Sequence, residues 1–249
     1  MEKYKLAQGF TNFKEDLFNI KDIFSNNDNS IHQARNVLKV IPINGIDVVV
    51  KAFRIPNAIN QFAYAYIRKS KAYKSFFNAV RLKELGVNTP EPIGFIEFYR
   101  NGFFKESYFL SKKFEYELTM AEIRDTPPED KDNILKAFTA FSYEIHKKGV
   151  WHVDYSGGNI LINRRADGYD FSLVDINRME FRDIEDYEGL ENFNKFWFNE
   201  EDLTTIAKEY ALLANLEEQK SINEIIFHDT KLKEHVLRRR KIKAFFKGK

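Results

Sequence analysis

Short segments rich in β-branched and aromatic residues fill most of the first half of the chain. They form two pairs, and each pair is joined across an Asn-Gly dipeptide, Asn44-Gly45 or Asn101-Gly102, which is a strong hairpin signal. The segments are residues 37–41, 47–53, 95–99 and 106–110. The pattern predicts a small, mostly antiparallel sheet.

Apolar residues at helical spacing occur once in this half. The stripe from Tyr73 to Leu85 predicts one helix, which Gly86 ends and which Pro90 and Pro92 keep from continuing. The first half is therefore expected to be a sheet with a single helix.

Helical stripes dominate the second half. Residues 134–145 predict a helix that Asp130 or Asp132 caps and that Gly149 stops. Residues 203–213 predict another, beginning near the carboxylates of residues 200–202. We therefore expect an α+β fold of two lobes, a sheet lobe at residues 1–110 and a helical lobe at residues 111–249.

Composition and charge exclude several classes of protein. The 249 residues contain no cysteine, which excludes disulfides and thiolate chemistry and favours the reducing cytosol. No stretch approaches the roughly 18 apolar residues of a spanning helix, so we expect a soluble, cytoplasmic protein. A net charge of +2 gives no reason to expect nucleic-acid binding.

Polar residues between the two later helices suggest chemistry. Asp154 precedes Asn159 by five positions across Gly157-Gly158, which is the spacing of the protein-kinase catalytic loop. Phosphoryl transfer needs a carboxylate to accept the hydroxyl proton and an oxygen ligand for Mg²⁺ nearby, and Asp154 and Asn159 fit these roles. Taken alone, the same residues are more typical of a capped β-turn, and it is Lys51 and Asp175 that reverse the preference.

Two more residues extend the pattern. Asp175 ends an apolar run sixteen residues after Asn159, as expected for a carboxylate that binds the metal. Lys51 ends an apolar strand, where a buried ammonium is costly unless it meets an anion such as a nucleotide phosphate. The alternative for Lys51 is an edge-strand lysine that reaches water. We interpret His152 as a structural residue that hydrogen-bonds the loop backbone.

These residues, in this order, resemble the protein-kinase-like superfamily. A closer resemblance, over residues 35–213, is to the Kdo/heptose lipopolysaccharide kinases. Its basis is four stretches, residues 70–72, 85–93, 152–154 and 174–178.

The resemblance implies an ATP-dependent kinase with a bilobal protein-kinase-like fold, in which ATP lies between the lobes. The acceptor would be a lipid-linked or soluble sugar, Kdo or heptose on a lipid A precursor, at the cytoplasmic face of the inner membrane. It also implies that Lys51 holds the α- and β-phosphates, that Asp154 is the general base, and that Asn159 and Asp175 bind Mg²⁺ or Mn²⁺.

Two departures from the protein-kinase pattern stand out. Residues 31–37 contain no glycine where a Gly-rich loop would cover the phosphates, and Arg35 is our candidate for supplying charge there. Residues 54–83 contain no Asp or Glu, so a helix glutamate for Lys51 is missing, and Glu84 comes late in register. These departures make a non-catalytic pseudokinase that binds a partner one alternative. Because the catalytic loop does not encode the acceptor, a kinase for a protein or another small alcohol is the other.

Positive charge is concentrated in two places. The last nineteen residues hold nine Lys and Arg against one Glu, and Phe245 and Phe246 lie among them. This basic tail is typical of a frayed helix, a nucleic-acid arm or a membrane contact, and the phenylalanines favour an anionic membrane surface. The second place is Arg68 to Lys74, either a solvated helix face or a patch for an anionic acceptor.

Overall fold

The computed structural model describes residues 1–28, 30–33, 36–53, 61, 64 and 66–247. The chain divides into two compact units. Unit 1 comprises Met1–Glu115 and Asp175–Arg178, and unit 2 comprises Tyr116–Val174 and Met179–Lys249. The lobe boundary at residues 110 and 111 stays a prediction.

Unit 1 contains a six-stranded antiparallel sheet with the strand order β1-β5-β6-β4-β3-β2. The strands are β1 (Glu2–Leu6), β2 (Ser30–Gln33), β3 (Asn36–Ile43), β4 (Ile46–Phe53), β5 (Pro92–Arg100) and β6 (Phe103–Lys112). Both predicted hairpins are confirmed. Each turns through two residues of positive φ, with values of 51° and 76° at Asn44 and Gly45 and of 52° and 77° at Asn101 and Gly102.

Each face of this sheet is covered by helix. On one face a short 3-10 helix (Thr11–Phe13), α1 (Lys14–Phe18) and α2 (Ile20–Ser25) pack their apolar residues against the sheet. On the other face lies α3 (Lys71–Glu84), in which Phe76 packs on Phe95 of β5.

The ends of α3 follow from its sequence. Ser70 caps the helix, because its hydroxyl oxygen accepts a hydrogen bond from the Tyr73 amide at 3.0 Å. Gly86 lies just beyond the other end with a φ of +66°, a conformation that favours glycine. The predicted helix and its stop are therefore confirmed.

Unit 2 is mainly helical. Its helices are α4 (Met120–Asp125), α5 (Lys131–Lys147), α6 (Glu188–Glu191), α7 (Glu200–Ala214) and α8 (Glu218–Lys247), with 3-10 turns at Gly157–Asn159 and Asn192–Lys195. Its short strands are β7 (Leu118–Thr119), β8 (Val150–His152), β9 (Ile160–Arg165), β10 (Gly168–Leu173) and β11 (Met179–Phe181). The α+β class predicted from the sequence is confirmed. In the described part of the chain, no helix has the length and apolar content needed to cross a bilayer.

The two long helices predicted for this half are present, but one predicted cap is wrong. Asp130 occupies the cap position of α5 without a side-chain hydrogen bond to the helix. Its carboxylate instead accepts two hydrogen bonds from Arg164, both at 3.0 Å, and one from the Tyr169 hydroxyl at 2.9 Å. The Arg164 guanidinium lowers the pKa of Asp130 to about 2.

Aromatic side chains form the core of unit 2. Phe138 of α5 lies at the centre, with ring centroids 5.7 Å from Tyr155, 5.7 Å from Phe193 and 5.1 Å from Phe196. All four are almost fully buried. Because Tyr155 follows Asp154 directly, this core anchors one end of the predicted catalytic loop.

A buried hydrogen-bond chain extends this core. His146 of α5 lies between Tyr210 and Asn192, with Nδ1 3.0 Å from the Tyr210 hydroxyl and Nε2 3.3 Å from Asn192 Oδ1. Because Asn192 Oδ1 can only accept, Nε2 donates to it and Nδ1 accepts from Tyr210. Burial lowers the pKa of His146 to about 4, against the opposing effect of the Asn192 hydrogen bond. His146 is therefore a neutral core residue and not a helix-end cation.

This lowered pKa predicts a specific loss of stability in acid. An unfolded histidine titrates near 6.5, so the stabilisation from keeping His146 neutral is present above that pH and is lost as the pH falls towards 4. Between pH 7 and pH 4 the free energy of unfolding should fall by about 3 kcal/mol more in the wild type than in His146→Gln. Urea unfolding across this pH range measures the difference.

The control is His235→Gln, which makes the same replacement at an exposed histidine of α8. Parallel curves for the wild type and His146→Gln would show that His146 titrates normally in the folded protein.

Candidate active site

Lys51 lies on β4 at a position that packing makes almost inaccessible. Val48 and Val50 have no exposed surface, and Lys51 itself is 9% exposed. Its Nζ lies 2.6 Å from Asp175 Oδ1 and 5.5 Å from the centre of the Phe53 ring. The ammonium thus meets a carboxylate of unit 1, which offsets the cost of its burial.

The residues around Asp175 are fixed to the sheet of unit 1. Asp175 has a φ of +53°, and Asn177 Nδ2 donates to the same Oδ1 atom at 2.5 Å. Ile176 is buried, and its carbonyl accepts a hydrogen bond from Asn78 Nδ2 on α3 at 2.7 Å. Asn177 and Asn78 therefore hold this segment in a fixed position beside Lys51.

Glu84 does not pair with Lys51. Its Oε2 accepts from Arg81 Nη1 at 3.2 Å, one turn earlier on α3. Glu84 is the one acidic residue in the described helix Lys71–Glu84, and its carboxylate is engaged by Arg81.

His152 organises the loop that carries Asp154. Its ring is fully buried, its Nδ1 accepts from the Asp154 amide at 3.1 Å, and its Nε2 lies 3.0 Å from the Val174 carbonyl. Since Nδ1 accepts, Nε2 carries the hydrogen and donates to Val174. The interpretation of His152 as a residue that holds loop backbone is confirmed.

Asn159 is oriented from within the same loop. Its Nδ2 donates to the Asp154 carbonyl at 2.8 Å and lies 3.3 Å from Ser156 Oγ. Its backbone carbonyl accepts from the Val174 amide at 3.0 Å, and Asp175 is the next residue in the chain. Because the nitrogen end of the side chain is used by the loop, the oxygen end is the one that can meet a cation.

The two glycines of the loop differ in their surroundings. A Cβ atom on Gly157 would lie 2.7 Å from the Ala121 backbone nitrogen, at the start of α4. A Cβ on Gly158 would meet no atom of the described chain within 4 Å. Gly157 is therefore required by the close approach of α4, and the loop is a 3-10 turn packed on that helix.

Two residues next to the loop were not predicted from the sequence. Asn192 Nδ2 donates to the His152 carbonyl at 3.1 Å, and Lys195 Nζ donates to the Val153 carbonyl. Lys195 Nζ also lies 3.8 Å from Asp154 Oδ1. In the sequence, Phe193 and Phe196 form an apolar pattern that indicates burial. No local pattern indicates that Lys195 contacts a loop 42 residues earlier in the chain.

The residues present suit a nucleotide with a divalent cation. Carboxylate and amide oxygens are the ligands that Mg²⁺ prefers, and it is usually held by one or two protein ligands together with phosphate oxygens. The described residues contain no cluster of three or more His, Cys, Asp or Glu that could hold a metal ion. Unit 1 brings Lys51 and Asp175 together, and unit 2 brings Asp154 and Asn159 together. Arg35 lies outside the described residues.

Comparison with known proteins gives a family and a fold. Residues 58–216 match the lipopolysaccharide kinase (Kdo/WaaP) family. A solved structure described as WaaP in complex with acyl carrier protein matches 93% of this chain and 98% of that chain, with a TM-score of 0.63 and 14% sequence identity. At this identity the likeness shows the fold. A comparison with curated proteins finds no match.

The family match covers more than half of the chain, and it includes the whole segment from α3 to the end of α7. The fold is accordingly kinase-like, and the use of ATP with a divalent metal follows from membership of a kinase family. This chain belongs to the lipopolysaccharide kinase (Kdo/WaaP) family and is an ATP-dependent kinase of lipopolysaccharide biosynthesis.

Proposed function

We propose that this protein transfers the γ-phosphoryl group of ATP to a sugar hydroxyl of the lipopolysaccharide inner core, Kdo or heptose on a lipid A precursor. The observation that carries the proposal is the loop from His152 to Asn159. The backbone carbonyls of His152, Val153 and Asp154 each accept a hydrogen bond from a side chain of unit 2. The loop thus presents one carboxylate and one amide oxygen from a rigid frame, which is what phosphoryl transfer requires.

Asp154 is the general base in this proposal. Its carboxylate accepts the proton of the sugar hydroxyl as the oxygen attacks the γ-phosphorus and the bond from that phosphorus to the leaving ADP breaks. Lys195 Nζ lies 3.8 Å from Asp154 Oδ1 and donates to the Val153 carbonyl, so it holds the segment that carries this carboxylate. The neighbouring Tyr155 is fully buried, with its hydroxyl 2.8 Å from Ser142 Oγ, so the backbone at Asp154 has little freedom to move.

Lys51, Asp175 and Asn159 hold the nucleotide and its metal. Lys51 binds the α- and β-phosphates, and Asp175 and Asn159 offer oxygen ligands to Mg²⁺ or Mn²⁺. A cation held by these residues would neutralise charge on the phosphate oxygens. The pair formed by Lys51 and Asp175 supports this assignment, because it holds the ammonium in a fixed position beside a metal-binding type of side chain. The role of Arg35 at the phosphates stays a prediction.

The basic tail is our candidate for contact with the membrane that carries the acceptor. The first part of α8 is packed, with Ile225 fully buried and Lys233 Nζ donating to the Phe198 carbonyl at 3.0 Å. Beyond it, Leu237 and Ile242 are about half exposed among exposed arginines and lysines, and residues 235–247 contain no Asp or Glu. Positive charge beside exposed apolar side chains is suited to binding an anionic lipid surface.

Replacement of the two aspartates should have different consequences. Asp154→Ala should lower turnover by roughly 10²–10⁴ and leave ATP affinity nearly unchanged, because it removes only the base. Asp175→Ala should weaken Mg-ATP binding itself, since it removes a metal ligand and leaves Lys51 buried without its partner. Titration calorimetry with Mg-ATP and steady-state kinetics separate the two effects.

The same assay tests the acceptor. Purified protein is incubated with Mg-ATP and separate pools of lipid A precursors, soluble sugars, aminoglycoside-like alcohols and proteins, and products are identified by mass spectrometry. We expect a phosphorylated Kdo or heptose. Full activity of Asp154→Ala on that acceptor, or a product only in the protein or aminoglycoside-like pool, would contradict the proposal.

Lys195 should affect turnover through the backbone of the loop. Lys195→Met removes the hydrogen bond to the Val153 carbonyl, so kcat should fall by up to about tenfold, the worth of one hydrogen bond, while the affinity for Mg-ATP stays nearly unchanged. Lys195→Arg should keep most of the wild-type kcat. Lys136→Met, an exposed lysine on α5, is the matched control. An unchanged kcat in Lys195→Met would mean that the loop does not need this side chain to hold Asp154.

Deletion of residues 238–249 should weaken binding to anionic membranes. The charges of this segment each contribute up to about 1 kcal/mol beside an anionic leaflet, and only within about 8 Å at physiological salt. Sedimentation with phosphatidylglycerol liposomes should therefore decrease, and turnover on a lipid-embedded acceptor should slow more than turnover on a soluble sugar. Neutral phosphatidylcholine liposomes provide the reference. Unchanged sedimentation at equal salt would exclude the tail as the contact.

A further inference from the structure

A hollow of about 370 Å³ lies at the outer edge of the unit 1 sheet, away from β4. Strands β1 and β5 form its floor. Lys3 is opposite Glu97 and Lys5 is opposite Phe95, so these side chains share one face of the sheet. The first half of α3 forms a wall, where Tyr73 packs on Phe95 with the ring centroids 5.4 Å apart.

Four cations line this hollow, and within the described residues none of them is paired with a carboxylate. They are Lys3, Lys5, Arg68 and Lys69. The three lysines lie over aromatic rings instead. The distances from Nζ to the ring centroid are 4.8 Å for Lys3 over Tyr99, 5.5 Å for Lys5 over Phe77 and 4.6 Å for Lys69 over Tyr73.

The acidic residue of the lining is already engaged. Glu97 is 5% exposed, and its Oε2 accepts a hydrogen bond from the Tyr99 hydroxyl at 2.7 Å. Burial and this carboxylate together raise the pKa of Tyr99. The sequence from residue 54 to residue 83, which includes Arg68, Lys69 and Tyr73 of the lining, contains seven Lys and Arg and no Asp or Glu. The hollow therefore keeps an excess of positive charge.

We propose that this hollow binds an organic anion with an apolar body, a phosphate or carboxylate head joined to an acyl or aromatic chain. The lysines and Arg68 attract the head, and the rings of Tyr73, Phe77 and Tyr99 give the apolar part a surface to pack on. Its volume falls at the lower end of the roughly 300–1,000 Å³ usual for small-molecule sites.

This site is separate from the one proposed for ATP. Lys51 is on β4, and β6 lies between β4 and β5. Neighbouring strands are about 4.8 Å apart, so β5 is about 10 Å and β1 about 15 Å from β4. The inference goes beyond the proposed function and does not require that the acceptor be a sugar.

Titration calorimetry with three probes below their micellar concentrations tests the proposal. The probes are octyl phosphate, inorganic phosphate and octyl glucoside. Octyl phosphate should bind at one site, at least tenfold more tightly than either of the others, because only it has both a charged head and an apolar chain. The double variant Lys3→Gln/Lys69→Gln should lose at least tenfold in affinity for octyl phosphate.

Two single variants serve as controls. Lys21 lies 4.1 Å from the centre of the Phe98 ring and pairs with Glu106, so Lys21→Gln removes a similar lysine elsewhere and should keep full affinity. Lys51→Met should lose ATP affinity and retain octyl phosphate binding, which distinguishes this site from the proposed nucleotide site. Thermal unfolding checks that each variant folds.

Three results would overturn the proposal. These are octyl phosphate binding no tighter than inorganic phosphate or octyl glucoside, unchanged affinity in a folded double variant, and loss of octyl phosphate binding in a folded Lys51→Met.

Discussion

A buried ammonium needs a negative charge beside it, and in unit 1 this requirement brings a distant segment of the chain to β4. Lys51 is enclosed on β4, and the carboxylate that meets it comes from Asp175, 124 positions later in the chain. Only four residues there, Asp175–Arg178, belong to unit 1, while the chain before and after them belongs to unit 2. The Lys51–Asp175 ion pair and the hydrogen bond from Asn78 to Ile176 explain why these four residues belong to unit 1.

The loop of Asp154 is held by a different means. Its backbone carbonyls, rather than its charges, are bound by side chains, which come from Asn192, Lys195 and Asn159. Two of the three donors, Asn192 and Asn159, are neutral amides, and hydrogen bonds between neutral groups depend little on salt. The neutral state of His146 supports the same frame, because a neutral ring can both donate to Asn192 and accept from Tyr210.

Sequence reasoning succeeded where the structure is determined locally. The two Asn-Gly hairpins and the end of α3 at Gly86 follow from φ values that few other residues adopt. Sequence reasoning failed where a distant residue competes for the same side chain. Asp130 lies at the start of α5 as expected, yet its carboxylate accepts hydrogen bonds from Arg164 and Tyr169 and does not cap the helix.

Long-range partners were equally invisible in the sequence. Strand β1 has few β-branched residues and forms because β5 offers it an edge. The spacing of Asp154, Asn159 and Asp175 could be read because one short segment encodes it, whereas Lys195 lies in no motif.

The contact between Gly157 and Ala121 constrains how this family of sequences can change. The φ angle of Gly157 is not positive, so its backbone conformation does not require glycine. The requirement comes from the neighbouring residue that fills the space where a Cβ would lie. That neighbour is both the backbone and the methyl group of Ala121, and it belongs to a helix that is fixed by its own capping box at Thr119. Among related sequences, a larger residue at position 157 is therefore expected only together with a displaced start of α4, so that the two positions vary jointly.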